Sequence, residues 1–160
     1  MSIDKLKEMG FNLIPLKPKS KEPIGGLNWK QFQDNKYMGS YPDSCNVAVI
    51  CGTSSGNIFV VDLDDATLYD DYPEEIKNTF TVKTGKGYHI YYHFHGFPPP
   101  NKKLDDKRGR HIDIKSHGGY VLAPTSVHPN GSIYTAINES PIMDISIQKL
   151  KEHLSNMGFN

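Results

Sequence analysis

Apolar positions fall along this chain in short runs, and each run has its own period. "DKLKEMG" has the spacing of a short amphipathic helix stopped by Gly10, and an extended "FNLIPL" follows. "KPKSKEPIGG" is a Pro/Gly/Lys loop, after which a helix is expected around "NWKQFQDN". "NVAVICG" and "NIFVVDLDD" are two β-branched runs joined by "TSSG", and they are expected to pair as a hairpin. "DATLYDDYPEEIKN" is helical in character, with Pro73 either breaking the helix or starting a second turn. "TFTVKTGKGYHIYYHFHG" gives two strands about a Gly-Lys-Gly bend, whereas "FPPPNKKLDDKRGR" reads as an exposed, mobile loop. "HIDIKSHGGYVLAPTSVHPNGSIYTAI" supplies two or three further strands, with turns at Gly118-Gly119 and Pro129-Asn130-Gly131. The tail "DISIQKLKEHLSNMGFN" is a helix capped near Asp144 or Ser146. Strands fill the middle and helices bracket them, which predicts an α+β fold with a mainly antiparallel sheet.

Composition narrows the class. A length of 160 residues suits one domain with a proper core, so residues 1–160 are read as a single domain. No apolar run approaches the roughly 20 residues that span a bilayer, and the N-terminus lacks the apolar core of a signal peptide. A cytoplasmic location without membrane attachment is therefore expected. Cys45 and Cys51 are the only cysteines, which excludes a Cys-rich zinc module and disfavours a disulfide framework. With 18 basic and 18 acidic residues the chain is less basic than a general polyanion binder, so any contact with nucleic acid must be local, metal-assisted or helped by another domain.

Three segments end hydrophobic strands with polar groups that could converge. Asp62 and Asp64 lie two apart in "IFVVDLDD", on one face of an extended chain, while Asp65 points elsewhere as a cap for the next helix. "TGKGYH" ends in His89, and "HIDIK" sets Asp113 between two isoleucines. An acid in that setting is costly to bury unless it is paired or bound to a cation, although an alternating strand with Asp113 on its solvent face explains it equally well. Three carboxylates from two strands suit a pair of divalent ions such as Mg²⁺, which are held by few carboxylates together with substrate phosphates. His89 fits beside them as a phosphate donor. Thr84, Gly85 and Lys86 offer a hydroxyl, backbone N–H groups and a cation to the same polyphosphate.

Four blocks, "NLIPLKPKSKEPIGGLNWKQFQD", "NVAVICGTSSGNIFVVDLDD", "TVKTGKGYHIYYHF" and "HIDIKSHGGYVLAPTSVHPNGSIY", follow one another in the order and spacing of a known family. Together they resemble the bifunctional primase–polymerase domain of the archaeo-eukaryotic primase superfamily, common on plasmids, viruses and integrated elements. The resemblance implies a DNA primase or polymerase, a nucleotidyltransferase of DNA replication that uses two Mg²⁺ or Mn²⁺ ions. It places the acid-x-acid metal motif on Asp62 and Asp64, the third acid on Asp113, and the phosphate-contacting histidine on His89. Lys115 and the adjacent Ser116 become nucleotide contacts, and Thr84 stands where serine is frequent. The resemblance also implies an RRM-like sheet packed against an N-terminal αβ unit. Nucleoside triphosphates and single-stranded DNA become the expected partners, with a helicase or helical accessory domain in the same replication system. The chain is then a minimal version of such a protein or a domain excised from a longer one.

Other residues carry rival readings. His93 and His95 in "HFH" match the histidine–hydrophobe–histidine motif of rolling-circle nucleases, but no Tyr-x-x-x-Lys helix accompanies them. A non-catalytic nucleotide- or single-strand-binding module is the third class. Lys21 in the first loop, and Lys107, Arg108 and Arg110 in "KKLDDKRGR", are candidate contacts to a DNA backbone. Trp29 is read as a packing anchor, and His128 as a residue of its turn in preference to a nucleotide contact.

Overall fold

The computed structural model describes residues 1–160. Ser2 caps α1 (Ile3–Glu8), and Gly10, at φ +92°, lets the chain turn into β1 (Leu13–Leu16). A 3-10 turn at Trp29–Gln33 stands where an α-helix was expected, and Trp29 packs edge-on against Tyr120. There follow β2 (Asn46–Ile50), β3 (Ile58–Leu63), α2 (Thr67–Asp71), β4 (Thr81–Lys83) and β5 (Tyr88–His93). The second half holds β6 (Lys102–Asp105), β7 (His111–Lys115), β8 (Tyr120–Leu122), β9 (Thr135–Asn138), β10 (Met143–Asp144) and α3 (Ile147–Asn156). Ser146 caps α3, its hydroxyl accepting from the Lys149 amide at 3.1 Å.

The strands form two sheets. The smaller has the order β1-β2-β8 and the larger β6-β7-β3-β5-β4-β9, with every pair antiparallel; β10 adds to β5 in parallel. The fold is α+β with a mainly antiparallel sheet, as the pattern predicts. The N-terminal unit is not contiguous, because β8 comes from the far half of the sequence.

The expected β2–β3 hairpin does not form. The two strands lie in different sheets and share only the Gly52–Ile58 bridge. Both are apolar on each face, and all of β2 and all of β3 except Asp62 are buried. Each therefore needs its own neighbours on both edges and cover on both faces, which one hairpin cannot supply. The "TSSG" link instead makes a 3-10 turn between Gly52 (φ +105°) and Gly56 (φ +77°), which redirects the chain.

The expected mobile loop at 97–110 is likewise mostly ordered. Leu104 is buried and pairs with Ile112, making Lys102–Asp105 the edge strand of the large sheet. Asp106 closes the hairpin by accepting from the amides of Arg108 (3.0 Å) and Arg110 (2.9 Å). The lysines and Asp105 on this edge discourage pairing with a further strand.

Alternation along β3 sorts the core. Phe59, Val61 and Leu63 face α2 and α3, and Ile58 and Val60 face the small sheet. Each such buried side chain contributes about 1.5–3 kcal/mol relative to exposure. Asp62 continues the Ile58–Val60 row just where cover from the small sheet runs out.

Candidate active site

Register places the polar groups. Asp62 lies directly across from His89 on one side and from Asp113 on the other, and Asp113 lies across from Lys103. Directly opposed residues share a face, so Lys103, Asp113, Asp62 and His89 form one transverse row over four strands. Ile112 and Ile114 point to the opposite face and are buried, which leaves Asp113 and Lys115 on the row's face. Asp64 follows the end of β3, exposed, with its amide donating to the His111 carbonyl at 3.1 Å.

His89 Nε2 stands 3.5 Å from Asp62 Oδ1, with the side chains 7% and 21% exposed. The imidazole Nδ1 is buried with no protein partner. Burial pushes the Asp62 carboxyl up, but the charge and hydrogen bond of His89, with the charges of Lys115 and Lys21, hold it below its ordinary value. On the other flank, Lys115 Nζ is 3.8 Å from Asp113 Oδ2.

The Gly-Lys-Gly bend shapes the other wall. Thr84 Oγ1 accepts from the amides of Gly87 (3.0 Å) and Lys86 (3.4 Å), so its hydroxyl braces the turn. A side chain at Gly87 would place its Cβ 1.8 Å from the Leu63 carbonyl oxygen, so only glycine lets the bend reach the end of β3. Gly85 lies less tightly against the His128 ring, where a Cβ would come within 2.9 Å. His128 Nδ1 accepts from the Asn130 amide at 3.0 Å, as expected of a turn residue, which leaves Nε2–H as the ring's free donor.

These parts surround a polar cavity of about 70 Å³. Asp62, Asp64 and His89 form its floor, and Thr84 and Lys86 one side. Lys21, His128 and Tyr134 close it from the small-sheet side. A larger and mostly apolar hollow of about 310 Å³ lies between Phe59, Phe94, Phe97 and the start of α3; Asp62, Asp64 and Asp113 do not line it. Tyr134 escapes sequence reasoning, because only the fold brings residues 128–134 over β5; for His128 the turn and the cavity are both realised.

Not every predicted site residue reaches the cavity. Asp113 and Lys115 lie beside it on β7. Ser116 is fully buried, with its amide donating to Asn101 Oδ1 and its hydroxyl unpartnered. Arg110 is held by Asp106 (2.8 Å) and Asp71 (3.3 Å), whereas Lys107 and Arg108 stand exposed on the hairpin turn. His93 lies across from Ile58, at the opposite end of β3 from the acids, and His95 is paired with Asp144 at 3.1 Å.

The family description "Bifunctional DNA primase/polymerase, N-terminal" (Prim-Pol) matches residues 4–150, nearly the whole chain. The chain belongs to the Prim-Pol family. That membership supports a primase/polymerase type of nucleotidyltransferase. No curated protein sequence matches the chain.

The Prim-Pol cavity offers hard oxygen donors, but no three His, Cys, Asp or Glu side chains close into a ready-made cage. An open set of that kind fits Mg²⁺, which commonly completes its shell with water and substrate phosphate. The direct apposition of Asp62 and Asp113 also fits a bound cation, since facing carboxylates repel each other without one. No helix of this Prim-Pol domain is long and apolar enough to cross a membrane.

Proposed function

We propose that this Prim-Pol domain joins nucleoside triphosphates along a single-stranded DNA template, with Asp62, Asp64 and Asp113 holding two Mg²⁺ or Mn²⁺ ions. The observation that carries the reading is the row Asp113–Asp62–His89 on one sheet face, beside a cavity walled by cations. When bound, the ions lower the pKa of the attacking hydroxyl and offset the charge of the polyphosphate. The remaining work falls to side chains. His89, which lies against Asp62 through Nε2, would turn that N–H to phosphate oxygen when the nucleotide binds, and Lys115 adds positive charge on the other flank of the row. Thr84 keeps the bend closed, so that the Gly85 amide, which donates to no protein acceptor, and the Lys86 ammonium face the same substrate. The 3′-oxygen attacks the α-phosphorus, the bond to the β-phosphate breaks, and pyrophosphate leaves without a covalent enzyme intermediate.

The test is Asp64→Ala in primer extension on a single-stranded template. Asp64 is exposed and its carboxylate carries no core contact, so the fold should survive, as circular dichroism would check. Loss of extension with the fold intact supports the reading, and full activity overturns it. A nicking assay that traps a tyrosyl–DNA adduct would turn the assignment to the histidine-motif nuclease.

A further inference from the structure

Lys21 is the one basic residue of the N-terminal unit that reaches the acidic cavity. It has no ionic partner. In the same loop Lys17 pairs with Glu22 at 3.0 Å, but Lys21 has no carboxylate within ion-pair distance.

The backbone beneath it is fixed at two points. The Lys21 carbonyl accepts from the Tyr120 hydroxyl at 2.7 Å, and the Ser20 carbonyl from Asn46 Nδ2 at 3.0 Å. Asn46 is buried, and its amide also holds Val127 in both directions, donating to the carbonyl at 2.8 Å and accepting from the amide at 2.8 Å. One side chain at the start of β2 thus ties the Lys21 loop to the His128 loop. Both cationic or N–H-bearing heads are set on the same wall, opposite Asp62 and Asp64.

We infer that Lys21 is a ligand for the polyphosphate of the incoming nucleoside triphosphate, not a contact to the template backbone, and that Asn46 is the positioning residue that holds it there. The inference rests on the nucleotidyltransferase reading above and adds a residue from outside the large sheet. A compact ammonium suits this place, since it neutralises β- and γ-phosphate oxygens on the side away from the carboxylates. The small sheet then contributes to substrate binding, instead of only covering the core.

The experiment compares wild type, Lys21→Ala and Lys21→Arg in Mg²⁺, by calorimetric titration with dATP, ATP and inorganic tripolyphosphate. The same proteins are titrated with labelled single-stranded DNA over a range of salt. Lys21→Ala should bind all three polyphosphates roughly tenfold more weakly, the loss of one charge-assisted contact, and Lys21→Arg should recover part of it. DNA affinity and its salt slope should not change. Asn46→Ala should weaken polyphosphate binding in the same direction, with its fold checked by circular dichroism. If wild type binds the polyphosphates and Lys21→Ala binds them equally well, the inference falls while the nucleotidyltransferase reading stands. A salt slope lower by about one in Lys21→Ala, with polyphosphate affinity unchanged, makes Lys21 a template contact and also overturns it. If wild type itself binds none of the three, both readings fall.

Discussion

Asp62 and Asp113 are direct cross-strand partners at the centre of the large sheet, two carboxylates face to face in one ladder. Like charges in that relation destabilise a sheet by about 0.2–1 kcal/mol. Asp113→Asn should therefore leave the metal-free protein as stable as wild type or raise its melting temperature by roughly 1–4 °C. On the proposed function, Mn²⁺ should raise the melting temperature of the wild type, and the same variant should lose both that shift and primer extension. Melting curves with and without Mn²⁺ check both. A variant that keeps the metal-induced shift would remove Asp113 from the ligand set.

Gly87 is the contact through which the Gly-Lys-Gly bend reaches the acid-bearing strand end. Gly87→Ala drives a methyl into the Leu63 carbonyl and should destabilise the fold by about 1–3 kcal/mol, the usual range for overpacking. Triphosphate affinity should fall as well, because the strand end that moves carries Asp62 and Asp64. Urea unfolding and nucleotide titration measure the two effects. Unchanged stability would mean the bend is looser than the observed approach.

The depressed Asp62 carboxyl sets an acid limb to stability. Its folded-state value lies below its ordinary one, so between the two the unfolded chain binds more protons. Stability contributed by Asp62 is thus present above the ordinary carboxylate range and lost as pH falls through the depressed value. Asp62→Asn should flatten this limb. Urea midpoints in chelator, from about pH 6 down to about pH 2, compare the slopes; parallel curves would contradict it.

The two thiols should differ in reactivity. Burial pushes the Cys51 thiol up to about 12, whereas Cys45 is only partly buried. An aromatic disulfide reagent should titrate one thiol in the native protein and two in denaturant. Fast modification of both in the native state would show that the β2 end opens readily.

Basic residues of the β6–β7 turn should separate into two kinds. Lys107→Ala and Arg108→Ala should each lower the salt slope of single-stranded DNA binding by about one. Arg110→Ala should leave that slope alone and instead lower the unfolding midpoint, because its guanidinium is engaged by Asp106 and Asp71. Equal salt slopes for all four proteins would remove this turn from the DNA path.

Sequence reading succeeds where interacting parts are close together or periodic. The Gly-Lys-Gly hairpin, the Asp65 cap, whose carboxylate accepts from Thr67, and the Ser146 cap are all local, and each is legible. Period-2 geometry likewise puts Asp62 on a defined face. The sheet to which a strand belongs is not a local property. β2 and β3 look like a hairpin because both are apolar and close in sequence, yet two strands buried on both faces each need separate partners. The edge strand β6 is hidden because a single leucine among lysines and aspartates carries its burial. Lys21, His128 and Tyr134 meet the acids only through contacts between residues 26 to 99 apart, such as those of Asn46 and Tyr120.

The crossing of β8 into the small sheet has a consequence for dissection. Residues 1–56 hold two strands of a three-stranded sheet and lack the third, which lies beyond β7. No cut after β2 yields two self-sufficient pieces, since the chain is laced through both sheets like a single thread through two panels. Fragments divided in the "TSSG" link should remain largely unstructured alone and regain order only when mixed.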